Sequence, residues 1–233
     1  MPKRKAKFPR ARHRAGAHEE IEIKLRVADA SALRLRLEEL RAREIIPRTF
    51  ESNILFDTPS RNLIRGDRLI RVRIERPSAY GGKIESPQTG TAILTYKGPS
   101  RSAQDSRTAV TRRKERIRFK IRDEVEVVVS NPEQMSTILG ALGLRPTFRY
   151  EKFRTTYKLP GIRGMKVEFD ETPIGLFLEL EGSAAAIDRA ARLLGYSQYD
   201  YVTESYGALY IAECRHRGEK ATNMVFPPTN KLY

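Results

Sequence analysis

Glu20-Ile21-Glu22-Ile23-Lys24 alternates charged and apolar residues with a period of two. Successive side chains of a strand face opposite ways, so Glu20, Glu22 and Lys24 share one face while Ile21, Ile23 and Leu25 share the other. Glu124-Val125-Glu126-Val127 repeats the pattern, and Glu168-Phe169-Asp170 and Glu179-Leu180-Glu181 add two more same-face acid pairs. One such strand reads as an ordinary strand with a wet face. Four in one chain, answered by strands that alternate bases in the same way, predict an interior lined with charge.

The flanking segments fall into two similar units. A strand from about His18 to Val27 precedes Asp29 or Ser31 as helix cap, with Leu33, Leu37 and Leu40 at helical spacing and Pro47 as the expected stop. Strands are expected near 48–57, 67–76 and 91–98, separated by a loop from Pro77 to Gly90, and Arg101 to Arg113 reads as a polar connector. The second unit has a strand near 118–129, then Asn131-Pro132-Glu133 as a helix start. Met135, Ile138, Leu139 and Leu142 form its apolar stripe, and Gly143 closes it. Strands near 149–159, 163–171 and 175–181 follow. A shift of 104 residues (124 − 20) lays the first paired-acid strand on the second, so the chain reads as a duplication of β-α-β-β-β. Two helices, Ser183 to Leu194 and about Thr203 to Arg215, end the ordered part.

The expected class is α+β: an eight-stranded antiparallel β-barrel, a tunnel built from two β-α-β-β-β repeats, with helices packed outside. Helices must cover the apolar strand faces (Ile21, Ile23, Val125, Val127, Phe169, Leu178, Leu180), which leaves the charged faces to line the tunnel. Residues 1–17 are expected to be a disordered basic tail, 18–215 a single tunnel domain and 216–233 a flexible C-terminal tail.

The 233 residues carry a formal charge of +15, much of it in the tail, where Lys3, Arg4, Lys5, Lys7, Arg10, Arg12 and Arg14 occur without an acid. Cys214 is the only cysteine, which excludes a disulfide framework and any Cys-rich metal site. No apolar run approaches the roughly 18 residues of a membrane span, and no secretory leader is evident. A cytoplasmic protein that does not enter the membrane is expected, with nucleic acid a partner only through the basic tail; a homodimer is left open. His13, His18 and His216 are too scattered for a triad or a metal site, and neither a P-loop nor His-Glu-x-x-His occurs.

On the inner faces the alternation places Arg71 with Arg73, Lys120 and Arg122 with Glu124 and Glu126, Lys152 with Arg154, and Lys97 at a strand end. Same-face acids repel one another and invite a divalent cation, and all-oxygen ligation favours Mg²⁺ or Mn²⁺ over Zn²⁺. Arginine forks and lysines suit phosphate oxygens. Metal-binding acids beside phosphate-binding bases describe a triphosphate site.

The ordered set Glu20-x-Glu22-x-Lys24, Leu69-x-Arg71-x-Arg73, Thr95-x-Lys97-Gly98-Pro99, Lys120-x-Arg122-x-Glu124-x-Glu126, Lys152-x-Arg154, Glu168-x-Asp170 and Phe177-x-Glu179-x-Glu181 resembles the CYTH superfamily of triphosphate tunnel metalloenzymes. The family includes class IV adenylate cyclases, thiamine triphosphatases and inorganic triphosphatases. The resemblance implies Mg²⁺ or Mn²⁺ on Glu20, Glu22, Glu124, Glu126, Asp170, Glu179 and Glu181. It implies a triphosphate on Arg71, Arg73, Lys97, Lys120, Arg122, Lys152 and Arg154, with Glu22 and Lys24 catalytic.

Asp57 in Leu55-Phe56-Asp57-Thr58-Pro59 matches the cyclase and thiamine-triphosphatase branches, whereas Glu51-Ser52-Asn53 stands where those branches usually carry Gln-x-Asp. Conversion of ATP to cyclic AMP and pyrophosphate is the first expectation, hydrolysis of an inorganic or organic triphosphate the second, and a non-catalytic polyanion or RNA-binding module a distant third. Deleting residues 1–16 is expected to leave turnover of small triphosphates unchanged, measured as initial rates beside the full chain; loss of that turnover would place the tail in the site.

Overall fold

The computed structural model describes residues 18–78, 91–100 and 119–227. The expected basic tail, most of the Pro77 to Gly90 loop and the connector from Arg101 lie outside the described residues. Element order is β1 (His18–Val27), α1 (Ala30–Glu39), β2 (Arg43–Asp57), α2 (Asn62–Arg65), β3 (Leu69–Pro77), β4 (Thr91–Lys97), β5 (Lys120–Val129), α3 (Pro132–Ala141), β6 (Arg145–Lys158), β7 (Lys166–Thr172), β8 (Gly175–Glu181), α4 (Ala184–Leu193) and α5 (Tyr206–His216). The strands close into an antiparallel barrel in the order β1-β5-β4-β3-β2-β6-β7-β8.

The duplication is visible in the pairing. Each unit ends in a three-strand meander, β2-β3-β4 or β6-β7-β8, whose last strand pairs with the first strand of the other unit, β4 with β5 and β8 with β1. The β1–β5 and β2–β6 seams then join equivalent strands.

Local chemistry sets the helix starts. The Asp29 carboxylate accepts from the Ser31 and Ala32 amides, Asn131 accepts from the Gln134 amide with Pro132 behind it, and Ser183 and Ser205 cap α4 and α5. Gly143, at φ 84, takes the left-handed position after α3 that a side chain would disfavour. Pro47 does not end the first helix as expected: α1 stops at Glu39 and Pro47 lies inside β2. The β2–β6 register shifts between Ile46 and Thr49, so a residue without an N–H sits where the ladder is already interrupted.

The main core lies outside the barrel wall. Ile23, Leu25, Val167, Phe169, Leu178 and Leu180 pack under Leu33 and Leu37 of α1 and Ile187, Ala190 and Ala191 of α4. Each such aliphatic side chain contributes about 1.5–3 kcal/mol on burial. Leu139 of α3 covers Phe56 and Val72. Val125 and Val127, expected beneath a helix, are instead 43% and 53% exposed, because α3 lies over β3 rather than β5.

The expected flexible C-terminal tail is also corrected. Residues 223–226 run along β6: Met224 exchanges backbone hydrogen bonds with Arg149 and Glu151, the Arg149 amide donates to Asn223, and the Phe226 amide donates to Glu151. Met224 is fully buried against Tyr150, Phe177 and Tyr206. Among the described residues no helix is long and apolar enough to cross a membrane. Met224→Ala is expected to lower unfolding free energy by about 2–5 kcal/mol in a urea titration; a mobile tail would leave the midpoint unchanged.

Candidate active site

Register decides which charges meet. Around the seams, Glu20 lies opposite Arg122 and Glu22 opposite Lys120 on β1–β5, and Lys97 lies opposite Glu124 on β4–β5. On β1–β8, Lys24 faces Glu179, but Glu22 faces Glu181; on β7–β8, Glu168 faces Glu179. Like charges directly across a ladder destabilise it unless a cation lies between them. The inner face surrounds a cavity of about 870 Å³ to which Glu20, Glu22, Lys24, Arg71, Arg73, Lys97, Lys120, Arg122, Glu124, Glu126, Lys152, Arg154, Glu179 and Glu181 all contribute. Of the residues expected in the site, Asp170 alone does not line this cavity; it is on the inner face of β7 but fully buried beneath Lys152, Arg154 and Tyr206.

Asp170 organises one stretch of the inner wall. Lys152 Nζ donates to its carboxylate at 3.1 Å, Arg154 donates through Nε and Nη2 at 2.6 Å each, and the Tyr206 hydroxyl donates at 2.6 Å. With four donors on two oxygens, Asp170 holds these side chains in place and has little capacity left for a metal. Burial alone would raise its pKa, but Arg154 and Lys152 hold it below the usual range. Arg154 also pairs with Glu168 and Glu179.

The remaining charges form linked pairs. Lys97 Nζ reaches both oxygens of Glu20 at 2.8 and 2.5 Å and Glu124 at 3.3 Å. Lys120 Nζ donates to Glu22 at 2.6 Å. Lys24 lies 3.5 Å from Glu22 and 3.3 Å from Glu179; burial would lower its pKa, but these carboxylates raise it, so the ammonium stays charged. Arg71 donates to the Tyr150 hydroxyl at 3.1 Å, to Thr95 at 3.2 Å and to Glu126 at 3.3 Å, and Arg73 reaches Glu126 at 3.3 Å. Arg122 pairs with Asp67, which also accepts from the Ser100 amide. Glu181 is partly exposed and lies 3.0 Å from Lys166.

Several working residues escaped the sequence reading. Glu51, read there only as a departure from the family pattern, is 2% exposed and lies 3.4 Å from Lys152, 3.7 Å from Arg154 and 3.8 Å from Arg73. Burial would raise its pKa; those three cations reverse the shift and lower it. Its place on the same face of β2 as Asp57 was the available signal. Tyr206, on α5, anchors Asp170, with its ring centroid 5.2 Å from the Lys24 ammonium. Tyr150 and Asp67 carried no periodic signal. Cys214 is buried and unbonded.

The carboxylates fit a hard divalent cation by donor type. Glu22 and Glu179 come within hydrogen-bond reach of each other, and Glu181 stands opposite Glu22. Among the described residues no three acids already converge as a metal group; each is engaged by Lys or Arg instead.

A closed tunnel of eight strands with acids and bases interleaved on its inner wall is the architecture of the CYTH domain family. The family pattern matches residues 18–206, and the chain belongs to that family. A relative from Methanocaldococcus jannaschii, named as a candidate adenylate cyclase, is 28% identical over 176 residues, covering 75% of this chain and 83% of its own.

Solved structures share the fold at lower identity. A candidate adenylate cyclase from Vibrio parahaemolyticus has a TM-score of 0.62 at 17% identity, covering 84% of this chain and 98% of its own. The PH1819 protein of Pyrococcus horikoshii scores 0.61 at 20% identity, covering 83% and 99%. A Hippeastrum protein, described as a candidate adenylyl cyclase with a dominant triphosphatase activity, scores 0.53 at 16% identity, covering 87% and 97%.

Two carboxyls stand apart electrostatically. Burial pushes Glu124 up to about 7, with Glu20 and Glu126 adding to the rise and Lys97 only partly offsetting it. Burial likewise pushes Glu168 up to about 7 against Arg154, with Glu179 adding. A carboxyl whose folded pKa is raised stabilises the fold below its unfolded value, and that stabilisation is lost as pH rises through the folded value. In metal-free protein these two groups should therefore lower the melting temperature between about pH 5 and 8. Mn²⁺ affinity should rise over the same window, with proton release in calorimetry across buffers of different ionisation enthalpy. PH-independent affinity with no proton release would contradict the assignment.

Proposed function

We propose that the chain is a divalent-metal-dependent enzyme acting on a triphosphate held in the tunnel, with class IV adenylate cyclase-like conversion of ATP to cyclic AMP and pyrophosphate as its reaction. One observation carries the reading: phosphate-matching cations from four strands, β3 to β6, and opposed carboxylates from β1, β7 and β8 surround one cavity. A surface polyanion binder has no use for buried opposed acids, so the RNA-binding alternative loses its support.

In this reading Arg71, Arg73, Lys97, Lys120, Arg122, Lys152 and Arg154 meet the non-bridging phosphate oxygens, exchanging their present carboxylate partners for substrate. Asp170, Glu51 and Tyr206 hold Lys152 and Arg154 so that little reorganisation accompanies binding. Glu20, Glu22, Glu124, Glu126, Glu179 and Glu181 are the proposed cation ligands, with Asp170 behind them. Mg²⁺ or Mn²⁺, when bound there, would supply charge neutralisation for the phosphoryl oxygens and acidify the attacking hydroxyl. Lys24, held charged between Glu22 and Glu179, is placed to stabilise developing negative charge.

Hydrolysis is the second reading, and one observation favours it. Glu168, a carboxyl lifted to about 7 beside Arg154, suits a general base taking a proton from water.

The family uses a divalent metal, so the deciding assay incubates purified protein with ATP and Mn²⁺ and identifies the products. Cyclic AMP with pyrophosphate supports the cyclase reading, free phosphate supports hydrolysis, and no turnover of ATP or tripolyphosphate overturns both. Glu179→Gln, which keeps volume and removes charge, is expected to cut kcat by about 10²-fold or more in a protein that still melts cooperatively; retained Mn²⁺-dependent turnover would remove Glu179 from the site.

A further inference from the structure

The inner wall pairs its bases with acids, but one rim of the barrel leaves bases unpaired. β2 begins and β6 ends at that rim, at the other end of these strands from Asp57 and Arg145, and the register sets Arg43 directly opposite Lys158. Like charges placed across a ladder destabilise it when nothing lies between them. Arg41, two residues ahead of Arg43, and Arg163, in the turn from β6 to β7, line the same cavity as this pair. All four are exposed, and among the described residues none of the four side chains has a hydrogen-bond or ion-pair partner.

The cavity these cations line has a volume of about 1570 Å³. Glu20, Glu124, Glu126 and Glu181 line both it and the tunnel, so the two are continuous. Those acids are already engaged: Glu20 and Glu124 by Lys97, Glu126 by Arg71 and Arg73, and Glu181 by Lys166. Glu19, at the same rim, is engaged as well. The charge left over in the recess is therefore positive. The backbone also presents the cations firmly. Arg41 sits at φ 52, pinned there by hydrogen bonds from its own amide to Glu38 and from the Ala42 amide to Leu37, each 2.8 Å. Arg163 rides on a turn whose Leu159, Ile162 and Met165 are buried in the main core, and Arg189 of α4 donates to the Gly161 carbonyl of that turn at 3.3 Å. Gly182 and Ser183, which lead into α4, line the recess too, so the positive end of that ten-residue helix adds to its potential.

We infer that this recess is an anion site, separate from the arginine and lysine rows of the tunnel, for a small phosphate-bearing ligand of the size of free phosphate or pyrophosphate. Residues directly opposed on antiparallel strands hold their Cβ atoms about 4.5–5.5 Å apart, so the Arg43 fork and the Lys158 ammonium can reach oxygens of one phosphoryl group, with Arg41 and Arg163 on the remaining oxygens. An anion between Arg43 and Lys158 also removes their repulsion. A compact oxyanion suits the site better than an acidic protein surface, because the cations surround a recess instead of spreading over a face. The site does not depend on which reaction the tunnel performs.

The test is arginine footprinting of the full chain with phenylglyoxal in metal-free buffer, read by peptide mass spectrometry, with pyrophosphate, with phosphate, or with potassium chloride at equal ionic strength. At ten times the dissociation constant of the anion, labelling of Arg41, Arg43 and Arg163 is expected to slow about tenfold, while the exposed Arg192 of α4 is labelled at its usual rate. The anion that protects at the lower concentration is the better ligand. Arg43→Gln combined with Lys158→Gln is expected to abolish protection of Arg41 and Arg163 in a protein whose cooperative melt shows it folded. Protection of Arg192 to the same degree, protection by potassium chloride, or protection undiminished in the variant would overturn the inference. Protection confined to Arg71 and Arg73 would overturn it and leave the tunnel reading standing.

Discussion

The inner acids of the barrel that take part in the site meet their cations across strands, and closure of the sheet is what makes those meetings possible. Arg154 on β6 can engage Glu168 and Asp170 on β7 and Glu179 on β8 because three neighbouring inner faces converge at that level. Lys97 on β4 reaches across β5 to Glu20 on β1 in the same way. An isolated buried charge costs several kcal/mol, and a pair recovers that only with good geometry and further hydrogen bonds. Pairing of inner-wall charge therefore constrains register, strand order and the position of α5, whose Tyr206 completes the Asp170 donor set.

The same constraint explains why the wall is poised for ligands. Every cation offered to phosphate is already desolvated and aimed by a carboxylate, so binding replaces one anion with another instead of stripping a hydration shell. The converse holds for the acids. Glu22 and Glu179 are kept apart from full repulsion by Lys24, which lies within 3.5 Å of both. The fold carries these acids although they add little to stability, since well-packed apolar residues would serve the core as well or better. The hydrophobic stabilisation instead comes from outside the wall, where α1 and α4 cover β1, β7 and β8.

Much of the barrel was legible because strand alternation assigns faces without knowledge of partners. Glu20, Glu22 and Lys24 could be placed on the inner face from the pentapeptide alone, and Asn131-Pro132 located α3 through capping chemistry. Partner choice was not legible, since it depends on register across strands far apart in sequence: nothing local links Arg154 to Asp170 or Arg122 to Asp67. Glu51 was passed over because the nearest acid on its face, Asp57, is six residues away instead of two, and Pro47 misled because its tolerance within β2 depends on a register shift with β6. The segment around Met224 looked like a tail because its four hydrogen bonds with β6 each involve a backbone group, and backbone pairing leaves no periodic side-chain pattern.

The most direct measurement of whether the paired wall is a triphosphate site is a thermal melt of protein lacking residues 1–16, with tripolyphosphate and Mn²⁺ or with sulfate at equal ionic strength. A ligand at a hundred times its dissociation constant stabilises the folded state by about 2.7 kcal/mol, which for a domain of this size shifts the melting temperature by roughly 5–10 °C. A shift of that order with tripolyphosphate and Mn²⁺, and little with sulfate, is the expected result, because sulfate screens charge without spanning the arginine and lysine rows. A shift that disappears with the basic tail, or that sulfate reproduces, would contradict a triphosphate site in the tunnel.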